Sequence, residues 1–346
     1  MTSTLTPDSK SRTILITGST SGIGYQAALK ILNAGNKLIL PCRNELRSKY
    51  LFEKLVKDLN SDIDLLETSY FPVCDLADLN TIDHCMRDLF LRYECIDTLI
   101  LNAGLQYTGA ENPKWSSQGF ELTFAVNHLG HHYLFERIEP LLCESNSPRI
   151  VITSSEVHNP QSPGGRIGQP AGLGSLLGML EGKGFSMVDG ISEFSADKAY
   201  KDSKLCNIIF AKEICKRLNQ RGIFMPVIAW APGLVIPRSN EGFFRYSRKY
   251  NELGQRLFTL IARDLFRITE NPQVAGALLA KLATSNEYND PIFSYFSNKV
   301  NGPGKRFFKK SVISSEASKD EIGKLLWENS IRLINNSIGQ SNSKDI

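Results

Sequence analysis

A glycine-rich turn near the N-terminus limits the fold of this chain more than any other feature. Residues 13–17 form a short apolar, β-type run, as expected for a strand buried on both faces. The turn follows at once, and a helical spacing of apolar residues comes after it. Glycines let backbone N–H groups approach a phosphate, and a helix start adds partial positive charge. The combination predicts a dinucleotide site. The residues predicted to line it are Gly18, Ser21, Gly22, Ile23 and Gly24.

Further apolar runs alternate with helical patterns along most of the chain. The runs cover residues 37–41, 69–73, 96–101, 149–155 and 224–230, and a last strand near 292–295 is predicted to close the sheet. This alternation predicts an α/β fold with a doubly wound parallel sheet, a Rossmann fold, in a single domain. We expect that domain to span residues 12–335, between a disordered N-terminus at 1–11 and a flexible tail at 336–346.

The residue after the second predicted strand bears on the choice of cofactor. A carboxylate about 20 residues after the glycines would hold the ribose 2′-hydroxyl of NADH. This chain has Arg43 there, nineteen residues after Gly24. Because a guanidinium suits a 2′-phosphate, the sequence favours NADPH over NADH.

Polar and small residues follow the third and fourth predicted strands. Asp75 and Leu76 come after the third, where the Asp75 carboxylate has two interpretations. It could hold the adenine amino group, or it could cap a helix that begins near Asp78. Small residues after the fourth strand would let a loop pass close to a ribose. These are Ala103 and Gly104, preceded by Asn102.

Tyr200 and Lys204 are spaced to share one face of a predicted helix. A cation beside a phenol favours the phenolate, and an opposite-charge neighbour shifts a pKa by roughly 1–3 units. A phenol tuned in this way can exchange a proton with an alkoxide at neutral pH. The spacing alone also fits an ordinary helix start, and the glycine-rich turn upstream favours the catalytic interpretation. Asn127, a polar residue in an apolar helical pattern at 120–142, needs buried partners.

Other functional classes receive little support. The net charge of +4 is too small to predict nucleic-acid binding. His128 and His132 share a helix face, but no H-E-x-x-H pattern accompanies them, so we expect no metal. Seven cysteines, an odd number without C-x-x-C, indicate a reducing compartment. With no secretory signal and no apolar run of about 18 residues, a cytoplasmic location is expected.

Two segments are candidates for the substrate side of the molecule. Residues 159–195, rich in Gly, Ser and Pro, are too many for a plain connection, and we predict an insertion that forms part of a substrate pocket or lid. Residues 238–270 are aromatic and basic. They could clasp a flat anionic substrate, touch a membrane surface or pack on the body of the protein. The oligomeric state stays open, with a homo-oligomer as one alternative.

Taken together, these motifs resemble the short-chain dehydrogenase/reductase family over roughly residues 13–333. Within it, the chain is similar to light-dependent protochlorophyllide reductases and to retinol dehydrogenase-like members. The likeness to the protochlorophyllide reductases rests on residues 119–122, 127–131 and 193–207 and on the long insertion before the tyrosine. The family motifs are matched by residues 17–24, 74–76, 102–104, Asn127, 154–155, Tyr200, Lys204, Pro232 and Gly233.

The resemblance implies a role for each matching residue. Tyr200 would donate the proton, and Lys204 would lower the pKa of Tyr200 and bind the nicotinamide ribose. Ser155 would hold the substrate oxygen, and Asn127 would anchor a water that relays protons to Lys204. The glycines would line the pyrophosphate and Asp75 the adenine. The remaining positions predicted beside the cofactor are Leu76, Asn102, Ala103, Gly104, Pro232 and Gly233.

Two positions depart from the family patterns. Leu234 stands where the protochlorophyllide reductases have a cysteine, and Pro237 stands where the family commonly has a threonine. The sequence therefore predicts an NADPH-dependent oxidoreductase that acts on a small molecule, a bulky, apolar carbonyl or ring alkene. Two alternatives remain: a light-dependent protochlorophyllide reductase, and a catalytically silent NADP(H)-binding sensor or assembly factor.

Overall fold

A mostly parallel sheet carries the strand ends at which the predicted site lies. The computed structural model describes residues 11–59, 62–236, 245–250, 252, 260, 269–300 and 305–338. Within these residues the main sheet has the order β10-β9-β6-β5-β4-β1-β2-β3, and β7 pairs with β8 separately. The strands are β1 Thr13–Ile16, β2 Lys37–Ile39, β3 Ser69–Tyr70, β4 Thr98–Leu101, β5 Arg149–Thr153, β6 Val227–Ala231, β7 Leu234–Val235, β8 Thr269–Glu270, β9 Phe293–Val300 and β10 Arg306–Lys310.

The strand order reverses at β1, which lies between β2 and β4. Strands β2 and β3 lie on one side of β1, and β4, β5 and β6 follow in that order on the other. All neighbouring pairs in this sheet are parallel except β9 and β10, which are antiparallel. The doubly wound parallel sheet is thereby confirmed, and the crevice between β1 and β4 is the place where such sheets bind ligands.

Helices cover both faces of the sheet, so its strands are apolar on both sides. Alternate residues of β1 enter different cores: Ile14 and Ile16 face one, and Leu15 faces the other. The helices are α1 Gly22–Asn33, α2 Glu45–Asp58, α3 Leu65–Thr68, α4 Leu79–Arg92, α5 Leu122–Phe124, α6 Gly130–Cys143, α7 Leu177–Leu180, α8 Ala196–Gln220, α9 Arg245–Tyr250, α10 Pro272–Thr284, α11 Ser315–Ser318 and α12 Asp320–Ile338.

Two predicted elements differ from the structure. The helix expected over 120–142 is interrupted by a π-helical segment, Ala125–Leu129, between α5 and α6. The strand expected to close the sheet, β9, is followed by β10, which forms the edge. A pattern of apolar residues does not reveal a single wide turn, and β10 is too polar to resemble a buried strand.

The predicted termini and the substrate-side segment are only partly covered. Helix α12 continues to Ile338, three residues into the predicted tail. Residues 1–10, 339–346 and most of 238–270, with Pro237, lie outside the described residues. In the part of the chain that the structure describes, every helix is too short or too polar to cross a membrane.

Candidate active site

The glycine-rich turn folds back on the loop that follows β4. Gly18 has φ +71°, a left-handed conformation that glycine adopts readily. A Cβ atom on Gly18 would lie 2.7 Å from the Cα of Ala103, and one on Gly24 would lie 2.6 Å from Nδ2 of Asn102 and collide with the Gly18 carbonyl oxygen. The turn and the loop are therefore in backbone contact, and a side chain at Gly18 or Gly24 would separate them.

The part of the turn where α1 begins has polar groups that could hold a phosphate. Gly22, at φ +60°, has open space where a Cβ would stand. Helix α1 begins there, and its N-cap Ser21 makes no side-chain capping hydrogen bond. Ser19 is buried, and its hydroxyl has no hydrogen-bond partner within the described residues. Uncapped N–H groups at a helix start and a spare buried hydroxyl are suitable donors for an anion.

Thr17 joins the turn to the end of β4. Its hydroxyl oxygen accepts hydrogen bonds from the backbone N–H groups of Asn102, at 2.9 Å, and Ala103, at 3.0 Å. In return, Nδ2 of Asn102 donates to the Thr17 carbonyl oxygen at 3.1 Å. The sequence interpretation gave Thr17 no role of its own, although a hydroxyl at a strand end was a signal for one.

Lys204, Asn127 and Gly104 converge at the ends of β4 and β5. A Cβ on Gly104 would lie 3.3 Å from Nζ of Lys204 and 3.4 Å from Oδ1 of Asn127. Nζ of Lys204 donates to the carbonyl oxygen of Thr153, the last residue of β5, at 3.2 Å. Lys204 is buried, and burial lowers the pKa of its ammonium from 10.5 to about 8.

Tyr200 and Ser155 lie beside this cluster. Nζ of Lys204 is 5.7 Å from the centre of the Tyr200 ring. Burial raises the pKa of Tyr200 above 10.0, a hydrogen bond with the Ser155 side chain opposes that rise, and the Asp197 charge adds to it. The net lowering predicted for this pKa is wrong for the protein alone, because burial outweighs the hydrogen bond with Ser155.

Asn127 lies in the π-helical segment and is fully buried. Its Oδ1 accepts from the Leu105 N–H at 2.8 Å, and its Nδ2 donates to the Leu105 carbonyl oxygen at 3.0 Å and to Oγ of Ser203 at 3.0 Å. The Ser203 hydroxyl in turn donates to the carbonyl oxygen of Tyr200 at 2.7 Å. Asn127 therefore ties the loop after β4 to the helix that carries Tyr200.

The end of β5 holds the same helix from the other side. Oγ of Ser154 donates to the Lys204 carbonyl oxygen at 2.7 Å. Thr153 Oγ1 accepts from the Trp230 indole at 2.9 Å and donates to Oδ1 of Asn102 at 3.2 Å. Strands β4, β5 and β6 thus share one polar network beside the candidate site.

Arg43 and Asp75 occupy neighbouring strand ends on the far side of β1. Arg43 is exposed after β2, and Asp75 is half-buried after β3. The Asp75 carboxylate accepts from the Ala77 N–H at 3.0 Å, whereas Asp78 caps α4 by accepting from the Asn80 N–H. The helix cap is therefore Asp78, and the cap interpretation of Asp75 is wrong.

The remaining predicted positions are Leu76, Pro232 and Gly233, and Leu234 is a position at which the chain departs from the family pattern. Leu76 is buried under α6, and a Cβ on Gly130 would collide with its carbonyl oxygen. Pro232 and Gly233 follow β6, where Nδ2 of Asn298 donates to the Pro232 carbonyl oxygen at 3.3 Å. Leu234 is half-buried in β7. Among the described residues, no hydrogen bond joins any of these four to Lys204, Asn127 or Gly104.

A buried ionic network, absent from the sequence interpretation, attaches the insertion to α8. Nζ of Lys198 lies 2.6 Å from a carboxylate oxygen of Asp202 and 3.1 Å from one of Asp189, and it donates to the Gly172 carbonyl oxygen at 2.8 Å. Burial raises the pKa of Asp202 to about 7. Nζ of Lys201 contacts Asp197 at 2.7 Å and donates to two backbone carbonyl oxygens of the insertion.

His128, in the π-helical segment, and His132, in α6, lie among aromatic side chains. His132 stacks on Phe210, with ring centres 4.7 Å apart, and also contacts Trp327. Burial lowers the pKa of His128 to about 3. The described residues contain no group of three or more histidine, cysteine or acidic side chains that could hold a metal ion.

Comparison with known proteins identifies the family to which this chain is related. The family model described as short chain dehydrogenase matches residues 12–166. The chain is 30% identical to a chloroplastic protochlorophyllide reductase of Marchantia paleacea over 93% of this chain and 67% of that protein. It is 26% identical to the human WW domain-containing oxidoreductase over 96% of this chain and 70% of that protein.

A solved structure shows the same architecture. The L-sorbose reductase of Gluconobacter frateurii, complexed with NADPH and L-sorbose, superposes with a TM-score of 0.57 at 15% identity, over 85% of this chain and 96% of that one. At this identity the likeness concerns the fold alone. The matching family model, the long alignment with the Marchantia protein and the shared fold lead to one assignment. The chain belongs to the short-chain dehydrogenase/reductase family.

Proposed function

We propose that the protein is an NADPH-dependent reductase of a bulky, mostly apolar carbonyl or ring alkene, with Tyr200 as proton donor. The observation that carries this proposal is the convergence of Lys204, Asn127 and Gly104 at the ends of β4 and β5. Tyr200 lies one helical turn from Lys204 and hydrogen-bonds Ser155. Holding reacting groups in a fixed arrangement supplies much of the barrier reduction in such enzymes.

The residues beside the strand ends fit a phosphorylated dinucleotide. The spare Ser19 hydroxyl and the uncapped start of α1 would hold the pyrophosphate, and Arg43 would hold a 2′-phosphate. Asp75 and Leu76 would border the adenine, and the backbone of Asn102 and Ala103 the ribose beyond it. When bound, the reduced cofactor supplies a hydride. The remaining tasks belong to side chains of the protein.

The proton is supplied by Tyr200. Because burial raises its pKa, the phenol keeps its proton at neutral pH and is available as a donor. Loss of that proton to the reduced substrate leaves a phenolate, which the nearby Lys204 ammonium stabilises. Ser155, hydrogen-bonded to Tyr200, would hold the substrate oxygen at the same point. Asn127 fixes the backbone around this pair through Leu105 and Ser203.

The proposed substrate class rests on the apolar surroundings of the site. Tyr107 and Phe194 stack with ring centres 6.1 Å apart and pack in one cluster with Leu105, the residue that Asn127 binds. The insertion is fixed to α8 by Lys198 and Lys201, on either side of Tyr200 in the sequence. Tyr107 is fully buried, so the half-buried Phe194 is the ring of this cluster that a substrate could contact, and an aromatic surface suits a ring system better than a small polar substrate.

A substrate panel with a matched variant tests the proposal. We expect the wild-type protein to oxidise NADPH with at least one bulky ketone, aldehyde or conjugated ring alkene. Tyr200→Phe should lower kcat by about 10²–10⁴, while the Kd for NADPH, measured by fluorescence, should rise by less than about tenfold, since one hydrogen bond is lost. Tyr288→Phe, against the opposite face of the sheet, should behave as wild type. Turnover by Tyr200→Phe at the wild-type rate would contradict the assignment of the proton donor.

Similarity to the Marchantia protochlorophyllide reductase supports a second candidate, light-dependent reduction of a ring in protochlorophyllide. Leu234 lies where those enzymes have a cysteine, so this chain would need another group at that point. Illumination of protein, NADPH and protochlorophyllide should give a red-shifted absorbance if the candidate is right. An unchanged spectrum in a sample that binds NADPH removes it. Binding of NADPH without turnover of any panel member would instead support the sensor or assembly factor.

A further inference from the structure

His131 connects the two halves of the candidate site. It lies in the first turn of α6 and is 1% exposed. Its Nδ1 is 3.1 Å from the carbonyl oxygen of Asn127, and its Nε2 is 2.9 Å from Oγ1 of Thr17. One ring therefore joins the π-helical segment beside Lys204 to the residue that begins the glycine-rich turn.

The proton positions on this ring follow from the contacts of Thr17. Its hydroxyl oxygen already accepts from two backbone N–H groups, those of Asn102 and Ala103. It has one proton left to donate, and Nε2 of His131 at 2.9 Å is nearer than the Ile100 carbonyl oxygen at 3.4 Å. Nε2 must then be an unprotonated acceptor. The carbonyl oxygen of Asn127 can only accept, so Nδ1 carries the ring proton.

The ring environment is consistent with a neutral imidazole. Burial and, to a smaller extent, the Lys204 charge lower the pKa of His131 to about 3, although the hydrogen bond with the Asn127 carbonyl oxygen opposes this shift. A ring held in one neutral form by two fixed partners cannot rotate without breaking both hydrogen bonds. Its neighbour His132 is just as buried but has no hydrogen-bond partner among the described residues.

We infer that His131, as the Nδ1–H tautomer, is a positioning residue that holds the phosphate-binding turn in register with the Asn127–Lys204 cluster. It acts through Thr17 and Asn127 and touches neither cofactor nor substrate. The inference rests on the proposed function, because its effect is on the binding of NADPH. It extends that function by naming the contact that aligns the pyrophosphate end of the site with the reactive end.

Two neighbouring histidines on one helix provide a matched test. His131→Phe removes both hydrogen bonds but keeps a ring of similar size, and His132→Phe changes a ring that has no such bonds. We expect His131→Phe to raise the Kd for NADPH about tenfold, since two hydrogen bonds are lost, without changing the KM for the second substrate. His132→Phe should leave the Kd as in wild type. Equal Kd values for the two variants would overturn the inference.

A double-mutant cycle separates this effect from general damage to the helix. Thr17→Val removes the hydroxyl that His131 contacts and should itself weaken NADPH binding. Addition of His131→Phe to Thr17→Val should then raise the Kd by less than twofold, because the link is already broken. Independent, multiplicative effects of the two substitutions would contradict a shared link.

Nitrogen NMR of histidine-labelled wild-type protein tests the inference without any substitution. The His131 resonances should show a protonated Nδ1 and an unprotonated Nε2 at neutral pH. The opposite tautomer would overturn the inference even if His131→Phe fails to fold. Failure of the wild-type protein to bind NADPH would instead refute the proposed function, so the two failures are distinguishable.

Discussion

The nucleotide end of the site and the insertion beside it are held together by opposite means. At the nucleotide end, Gly18 and Gly24 allow direct backbone contact, and Thr17 adds uncharged hydrogen bonds. Where the insertion meets α8, the Lys198 ammonium is buried between the carboxylates of Asp189 and Asp202. The first region leaves a helix start available to an anion. The second pairs its buried ammonium with two carboxylates of the protein itself.

Substitutions in the glycine-rich turn should affect NADPH binding, and substitutions in the buried ionic network should affect the free energy of unfolding. Because the turn is built from backbone contacts, a single Cβ there should abolish cofactor binding while most of the core is retained. Buried charges behave differently, since removal of one partner leaves the others uncompensated. Substitutions in the two regions should therefore produce opposite patterns of NADPH affinity and free energy of unfolding.

The largest effect is expected from Gly24→Ala. The added Cβ would meet the Gly18 carbonyl oxygen and Nδ2 of Asn102, and the turn would have to move away from the loop after β4. We expect the Kd for NADPH, measured by fluorescence titration, to rise more than about 100-fold, equivalent to more than ~2.7 kcal/mol. Gly35→Ala, just past the other end of α1, is the control: unlike Gly24, Gly35 has positive φ, so the substitution strains the backbone, but an added Cβ meets no neighbour and should leave the Kd unchanged. Normal NADPH binding by Gly24→Ala would contradict the described contact.

Lys198→Met should show the reverse pattern. Loss of the ammonium leaves two buried carboxylates facing each other, at a cost of about 3–5 kcal/mol in the free energy of unfolding. The Kd for NADPH should stay near the wild-type value at temperatures where the variant is folded. Urea unfolding and fluorescence titration measure the two quantities. Lys212→Met, in a more exposed pair with Asp320, should change stability little, and an equal loss in both variants would remove the special role of the buried network.

The affinity for NADPH should depend on pH through the titration of Lys204. Burial lowers the pKa of this lysine to about 8, so its ammonium is present below that pH and is lost above it. An anionic cofactor favours the ammonium form. The Kd for NADPH should therefore rise as the pH increases through about 8, by up to tenfold per pH unit. Lys204→Met should remove this dependence, and an equal slope in wild type and variant would contradict the titration of Lys204.

The smallest effect is expected at the exposed Arg43. Arg43→Ala should reduce the preference for NADPH over NADH about fivefold, because an exposed charged contact contributes about 1 kcal/mol or less. Arg87→Ala, on the exposed side of α4, is the control. Calorimetric titration with both cofactors gives the ratio. An unchanged ratio in Arg43→Ala would show that another residue selects the 2′-phosphate.

The sequence predicted those parts of the site in which the chemistry restricts residue type and spacing. The glycine-rich turn could be recognised because it lies between a buried strand and a helix. The Tyr200–Lys204 pair fits an ordinary helix start when taken alone, and it could be recognised only in combination with that turn. Asn127 was recognised as a polar residue in an apolar pattern. The parallel strands were predicted because each is a continuous apolar run.

Other features depend on partners that are distant in the sequence. Thr17 and His131 are 114 residues apart, and Asp189 meets Lys198 only after the insertion has folded onto α8. The direction of the Tyr200 pKa shift follows from burial, which residue spacing does not reveal. The π-helical turn at Asn127 changes the helix by a single wider turn, so the apolar period on either side looks continuous.

A crystal structure of the complex with NADP⁺ would test whether Tyr200 and Lys204 form the reactive end of the site. We expect the nicotinamide ribose to lie within hydrogen-bond distance, about 3 Å, of both the Tyr200 hydroxyl and Nζ of Lys204, with the pyrophosphate at the start of α1. A complex in which the nicotinamide ribose lies away from both side chains would contradict the assignment of Tyr200 and Lys204 as the reactive end of the site.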